Sequence, residues 1–284
     1  MLDIRTALRQ GTQLLDRLTA EVLLCHALKR ERSYLYAHPE EELSTVAWIH
    51  YRRYLHERLQ GKPTQYITGR QEFYGREFLV SPDVLIPRPE TEHLVEAAIR
   101  RIRQGDTVLD VGAGSGAIAI SLALETGVRV IACDLSSAAI KVAIGNARRL
   151  GASVEWVASD LLTAIADRSV DVLVSNPPYV PSADKEGLQR EVRDWEPHLA
   201  LFAGPDGLEI YERLIQQARQ VLRPEGWLLL ELGYNSLGPV KEMLRDEWRD
   251  FELIHDLAGF PRVLAGRLTP ESTAHTQPDA IVRV

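Results

Sequence analysis

Apolar positions recur at helical spacing through the first sixty residues and condense into continuous runs after residue 107. Ile4, Leu8 and Leu15 follow the helical period. Thr19 predicts the cap of a helix carrying Val22, Leu23, Cys25, His26 and Leu28. Ser44 predicts another cap, with Val46, Ile49, Leu55 and Leu59 as an apolar stripe and Gly61 just past its end. The pattern predicts a small all-α unit of four or five helices over residues 1–69. Its Tyr and His positions read as packing and rim positions rather than ligands.

Glycine and proline then punctuate the chain at Gly61, Pro63, Gly69, Gly75, Pro82, Pro87 and Pro89. Glu72-Phe73-Tyr74 and Arg76–Val80 flank Gly75 and predict a β-hairpin linker over residues 70–85. A third unit, residues 86–284, alternates strand and helix. Strands are predicted at Thr107–Val111, Val128–Asp134, Val154–Ser159, Val170–Ser175, Trp227–Leu232, Phe251–Asp256 and Arg262–Leu268. Helices are predicted at Ala117–Leu124, Ser136–Leu150, Gly207–Leu222 and Leu237–Trp248. Apolar strands alternating with helices predict an α/β fold whose mostly parallel sheet is covered on both faces. The tail after Pro270 carries no clear pattern.

Length changes the picture little: 284 residues allow about two domains. Cysteine use narrows it more. Cys25 and Cys133 stand far apart without a CxxC partner, which excludes a disulfide framework and a cysteine-rich metal site and predicts a cytoplasmic protein. No apolar run approaches the ~20 residues of a membrane span. The net charge of −7 argues against a dedicated duplex-DNA binder. Residues 1–69 hold 10 Lys and Arg against 8 Asp and Glu, so the negative charge lies in the remainder.

Candidate chemistry sits at two strand ends. Val108–Val111 runs into Gly112-Ala113-Gly114-Ser115-Gly116, a turn where backbone can approach a ligand closely. Asp134 closes the next strand, where a carboxylate can accept from both hydroxyls of a ribose. Together they point to a cofactor containing adenosine. Asp110, inside the strand, makes a DxGxGxG turn that resembles motif I of the class I methyltransferases. That likeness favours S-adenosyl-L-methionine, with S-adenosyl-L-homocysteine as product. Asp160 could then accept from the adenine amino group and Leu161 pack on its ring; an Asp merely capping a helix is the competing reading.

The strand Val170–Ser175 runs straight into Asn176-Pro177-Pro178-Tyr179. Two prolines stiffen this turn and remove two N–H donors. The Asn176 oxygen and the Pro177 carbonyl remain as acceptors, with an aromatic face on Tyr179. Such a site suits a planar –NH2 group, held by both hydrogens while a methyl group arrives. An amide nitrogen is a poor nucleophile, so alignment would carry much of the catalysis. The motif resembles that of the amino-methyltransferases.

A third set of residues narrows the amine. Gln65–Gly69, Glu72–Gly75 and Leu85-Ile86-Pro87-Arg88-Pro89-Glu90-Thr91-Glu92 resemble the signature of the protein-(glutamine-N5) methyltransferases. The pieces Glu196-Pro197, Asp206-Gly207-Leu208, Glu231-Leu232-Gly233 and Asp256–Gly259 agree with it. The subfamily most resembled acts on peptide chain release factors. This resemblance implies a Rossmann-like, mostly parallel seven-stranded sheet behind a helical substrate-binding domain. It implies methylation of the glutamine in the Gly-Gly-Gln loop of release factors one and two. By position, Gly112–Gly116, Asp134, Asp160, Leu161 and Asn176 would bind the cofactor. Asn176, Pro177, Pro178 and Tyr179 would hold the glutamine, with Asn176, Pro177 and Tyr179 in the catalytic role. Arg88, Glu90 and Glu92 would shape the site's edge. No metal, membrane or direct nucleic-acid contact is expected. Three alternatives stand beside this one: a glutamine methyltransferase for a ribosomal protein, an N6-adenine DNA methyltransferase, and a non-catalytic cofactor-binding partner of the translation machinery.

Overall fold

Asp3 accepts from the Thr6 N–H at 2.7 Å and starts the first helix, α1 (Ile4–Thr12). A computed structural model of the chain describes residues 2–270; the pattern-free tail lies outside them. Four more helices follow: α2 (Arg17–Leu28), α3 (Arg32–Ala37), α4 (Thr45–Leu59) and α5 (Thr64–Thr68). They close on Ile4, Leu23, Leu24, Leu35, Tyr51, Tyr54, Leu55 and Ile67. Gly11 is required there, because a Cβ on it would stand 1.9 Å from the Tyr51 hydroxyl.

Two details of the helical reading change. Helix α2 begins one turn earlier than expected, and its cap is Asp16, which accepts from the Thr19 N–H at 3.0 Å. On α4, Ser44 is the cap as expected. Its apolar stripe is not: Val46, Ile49 and Leu59 are exposed by 64%, 58% and 43%. The buried face is Ala47, Tyr51, Tyr54 and Leu55, spaced i, i+4, i+7, i+8. Two tyrosine rings bury more surface than Val46 and Ile49 would, so the aromatic face wins the core.

The hairpin forms as expected from β1 (Arg70–Phe73) and β2 (Arg76–Leu79). Tyr74 and Gly75 both take positive φ, which a two-residue turn matched to strand twist demands. Phe73 and Phe78 leave the hairpin and are buried with Leu94, Val95 and Ala98 of α6 (Glu92–Ile99). The hairpin therefore packs as part of the sheet's own covering layer.

The rest of the chain builds β3 (Thr107–Val111), α7 (Ala117–Thr126), β4 (Arg129–Asp134), α8 (Ser137–Leu150), β5 (Glu155–Ala158) and β6 (Val170–Ser175). It continues with α9 (Arg190–Trp195), α10 (Glu209–Val221), β7 (Leu222–Glu231), α11 (Leu237–Met243), β8 (Trp248–His255) and β9 (Pro261–Leu268). The seven strands lie in the order β5-β4-β3-β6-β7-β9-β8. The first five run parallel, and β9 runs antiparallel to both of its neighbours. Alternate residues feed two cores. Val108, Val172, Val174 and Leu229 face α6 and α7, while Leu109, Leu173, Leu228 and Leu230 face α10 and α11.

Helix α11 stops at Met243 rather than reaching Trp248. Arg245-Asp246-Glu247 turns with Asp246 at φ +63°, and Trp248 opens β8 opposite Leu268, where its ring is buried. An indole that packs against a sheet edge gains more as a strand residue than at the end of a polar helix turn. Among the described residues no helix is long and apolar enough to cross a membrane.

Candidate active site

Strand β3 lies between β4 and β6, so the chain crosses away from it in opposite directions and leaves a crevice at the strand ends. A cavity of about 450 Å³ occupies it. That falls within the roughly 300–1,000 Å³ of small-ligand clefts. Gly112, Gly114, Asp134, Asp160, Leu161, Asn176 and Pro178 all line it. The structure thus gathers one residue set from four strand ends.

The glycine turn is held from several sides. Gly112 and Ala113 donate to the Cys133 carbonyl at 2.9 and 3.0 Å. Gly112, with φ +80°, lies where a Cβ would reach 3.9 Å from the Asn176 carbonyl oxygen, so the two loops nearly touch. Asp134 accepts from Gly114 N–H and Ser136 N–H, both at 2.8 Å, through different oxygens. Each oxygen keeps a lone pair, so the carboxylate is oriented before any ligand arrives. These features, an open glycine cradle and an oriented carboxylate at the next strand end, fit a ribose-bearing cofactor.

Ala113, Ser115 and Gly116 are not on the cavity wall. Ser115 is buried, and its carbonyl accepts from Asn146 at 2.9 Å. Gly116, at φ +82°, packs where a Cβ would meet Ile120 at 2.8 Å and Trp156 at 3.1 Å. Asp110 lies beneath, wholly buried, and accepts from the Ala119 N–H at 3.1 Å. Burial pushes its carboxyl up to about 7.

Beyond the end of β5, Asp160 carries an ion pair with Arg213 at 2.6 Å, and both side chains line the cavity. Leu161 takes left-handed backbone, φ +50°, and its carbonyl accepts from the Cys133 thiol at 3.4 Å. Pro82–Leu85 and Pro197, Leu199 and Ala200 close the remaining walls. The Tyr66 hydroxyl, from the helical region, holds the Val84 carbonyl at 2.6 Å. Glu196 accepts from Ile86 N–H at 3.3 Å and pairs with Arg88. These closing contacts were not foreseen, although Ile86, Arg88 and Glu196 belong to the quoted signature.

At the end of β6, Ser175 donates to the Val111 carbonyl at 2.7 Å and ties strands β3 and β6 together. The Asn176 side chain donates through Nδ2 to the Thr91 hydroxyl at 3.2 Å. Its Oδ1 end is left to accept. Pro177 is buried, and the chain beyond is pinned by Val180 and Ala203, whose backbones bond in register with Leu201 and Val180. Tyr179 packs its ring on Gly233, where a Cβ would stand 2.7 Å away. Burial pushes its phenol up to about 12, so the ring is neutral at ordinary pH. Pro177 and Tyr179 do not line the cavity itself.

Comparison with known proteins follows from this geometry. Residues 3–69 match the family model described as PrmC N-terminal domain, and residues 90–192 match Methyltransferase small domain. The chain is 50% identical to the release factor glutamine methyltransferase of Koribacter versatilis, covering 88% of this chain and 91% of that one. It is 41% identical to the protein of the same name from Geobacter sulfurreducens, covering 89% of each. Among solved structures, a methyltransferase from Pyrococcus furiosus superposes with a TM-score of 0.52 at 18% identity, covering 70% of this chain and 91% of that one. That last likeness concerns the fold alone.

Proposed function

The chain belongs to the release factor glutamine methyltransferase family, and on that footing we propose that it methylates the glutamine of the Gly-Gly-Gln loop in peptide chain release factors one and two. The methyl acceptor is the side-chain amide nitrogen, N5. The methyl donor is S-adenosyl-L-methionine, which when bound supplies an electrophilic methyl group on a sulfonium.

One observation carries the reading. Asn176 leaves strand β6 beside the glycine turn with its Nδ2 already engaged by Thr91. Its oxygen and the Pro177 carbonyl would be the acceptors for an incoming –NH2. Both hydrogens of a glutamine amide could be held there, with the neutral Tyr179 ring alongside. Holding both hydrogens draws nitrogen lone-pair density out of the amide resonance as the nitrogen becomes a nucleophile. The stiff proline pair fixes this alignment, and alignment is where rate is gained when no strong base is available. The amide nitrogen would take the methyl group as the sulfonium–methyl bond breaks to leave a neutral thioether, and the displaced amide proton would then pass to solvent.

We assign Gly112, Gly114, Asp134, Asp160, Leu161 and Asn176 to the cofactor, with Ala113, Ser115 and Gly116 shaping the turn. Asp134 would take the ribose hydroxyls, and Leu161 would cover the adenine. Asn176, Pro177, Pro178 and Tyr179 would hold the glutamine. Residues 1–69 would form the substrate-binding domain, 70–85 the linker and 86–284 the catalytic domain. The separate helical core around Tyr51 supports a distinct N-terminal unit.

The test is methyl transfer from labelled cofactor to purified release factor, compared with a release factor whose loop glutamine is replaced. Label on the first alone is expected. Equal label on both would overturn the glutamine assignment.

A further inference from the structure

Strand β6 pairs with β7 so that Ser175 stands opposite Leu230. Residue 176 therefore leaves the sheet alongside Glu231. Glu231 is a carboxyl at 2% exposure, at the strand end nearest the reacting turn. The Thr91 hydroxyl, which accepts from Asn176, is also the side chain whose hydrogen bond opposes the upward push on Glu231. The Glu231 Oε2 has no partner among the described residues. A buried carboxyl in a methyl-transfer site, joined to the candidate substrate-holding amide by one hydroxyl, calls for a role.

We propose that Glu231, acting through Thr91, is a positioning residue that decides which end of the Asn176 amide faces the substrate; this rests on the reading of Asn176 given above. The logic is donor counting. A carboxylate only accepts, and a hydroxyl has one proton to give. With Glu231 ionised, Thr91 gives its proton to Glu231, and only lone pairs face Asn176. The amide must then present Nδ2 to Thr91, which turns Oδ1 toward the substrate –NH2. Turned the other way, the amide would offer a donor to a donor, and the glutamine would lose an acceptor.

The same counting links the relay to pH. Burial pushes Glu231 up to about 7, opposed by the Thr91 hydrogen bond. Facing it are Arg262 from β9, Arg88 and Glu90 from the segment before α6, Tyr179 after β6, and Tyr211 of α10. Arg262 shares its charge with Asp256 at 2.8 Å. A protonated Glu231 can donate instead of accept. Thr91 is then free to turn its proton toward Asn176, and the amide orientation is no longer fixed.

Thr91→Val is close to isosteric and removes both hydrogen-bonding functions. It should lower kcat about tenfold, as loss of one orienting bond would, while leaving the Kd for S-adenosyl-L-methionine unchanged. Thr91→Ser should restore most of the rate. In Glu231→Gln the acid limb of the kcat profile near pH 7 should disappear. Unchanged kcat in Thr91→Val would overturn the relay. So would a loss that Thr91→Ser fails to rescue, or an acid limb that survives in Glu231→Gln. Asn176→Ala separates the two readings. If that variant turns over normally, the role of Asn176 falls; if it is inactive while Thr91→Val is fully active, only the relay falls.

Discussion

Asn146 clasps Leu79 across 67 residues of sequence: its Oδ1 accepts from the Leu79 N–H at 2.7 Å and its Nδ2 donates to the Leu79 carbonyl at 2.9 Å. The same Nδ2 also donates to the Ser115 carbonyl at 2.9 Å. One wholly buried amide on α8 thus completes the edge of β2 and braces the glycine turn. Asn146→Ala would leave two backbone carbonyls and one N–H without partners. We expect a loss of roughly 2–4 kcal/mol in denaturant unfolding. Cofactor affinity should weaken as well, because the turn loses its brace. A variant that unfolds with the parent and binds cofactor equally well would show that water replaces the clasp.

Gly116 tests whether the turn is shaped for packing or for ligand. Its φ of +82° disfavours any side chain, and a Cβ would press on Ile120 at 2.8 Å. Yet it is not on the cavity wall. Gly116→Ala should therefore cost about 1–3 kcal/mol of stability and affect the cofactor only through the loop's shift. Isothermal titration at a temperature where the variant is fully folded separates the two effects. A large affinity loss without a stability loss would contradict this division.

Asp110 gives stability a pH dependence of known sign. Its carboxyl rises from 3.8 to about 7 because burial disfavours its charge. The folded chain then holds a proton that the unfolded chain has already lost. The stabilisation is complete below about 3.8 and is lost as pH rises through about 7. Asp110→Asn carries no such proton and can still accept from Ala119. Relative to the parent it should gain roughly 2–4 kcal/mol between about pH 5 and about pH 8. Glu231 titrates in the same window, so the two chains must be compared at both pH values. An equal gap between them at both would remove this account.

What could be read from the sequence follows the range of the forces involved. Strand ends and glycine turns are local, so β3, β6, Gly112–Gly116 and Asn176–Tyr179 were legible in place. The face of α4 was misread because Val46 and Ile49 match the helical period as well as Tyr51 and Tyr54 do, and only packing decides. Long-range partners left no local trace. Thr91 stands 85 residues from Asn176, and Arg213 stands 53 from Asp160. A polar Asn146 in an otherwise apolar helix face was the one available signal for the clasp. Charge was legible in sum but not in place. The slight positive excess of residues 1–69 includes Arg58, which the structure spends on Glu191 at 2.7 Å, and Arg53, which pairs with Glu57 at 3.5 Å.

Glu196 joins two walls of the cavity and allows the last prediction. Its side chain is 1% exposed, accepts from Ile86 N–H at 3.3 Å and pairs with Arg88, which is 34% exposed. Pro197, Leu199 and Ala200 follow it on one wall, and Pro82–Leu85 precede Ile86 on the other. Glu196→Ala would strand a buried N–H and leave a half-buried guanidinium unpaired. Removing one partner of such a pair costs more than the pair is worth, so a loss of about 2–4 kcal/mol is expected. Burial shields the pair from salt, so the loss should change little between low and high ionic strength. Glu196→Gln keeps an acceptor for Ile86 and a neutral hydrogen bond to Arg88, and should lose about half as much. Thermal melts with and without S-adenosyl-L-methionine measure both effects. The upward shift in Tm on adding cofactor should shrink in Glu196→Ala, because the two walls no longer hold each other. A cofactor-induced shift as large as the parent's would mean that the walls are held by packing, and that Glu196 serves the fold alone.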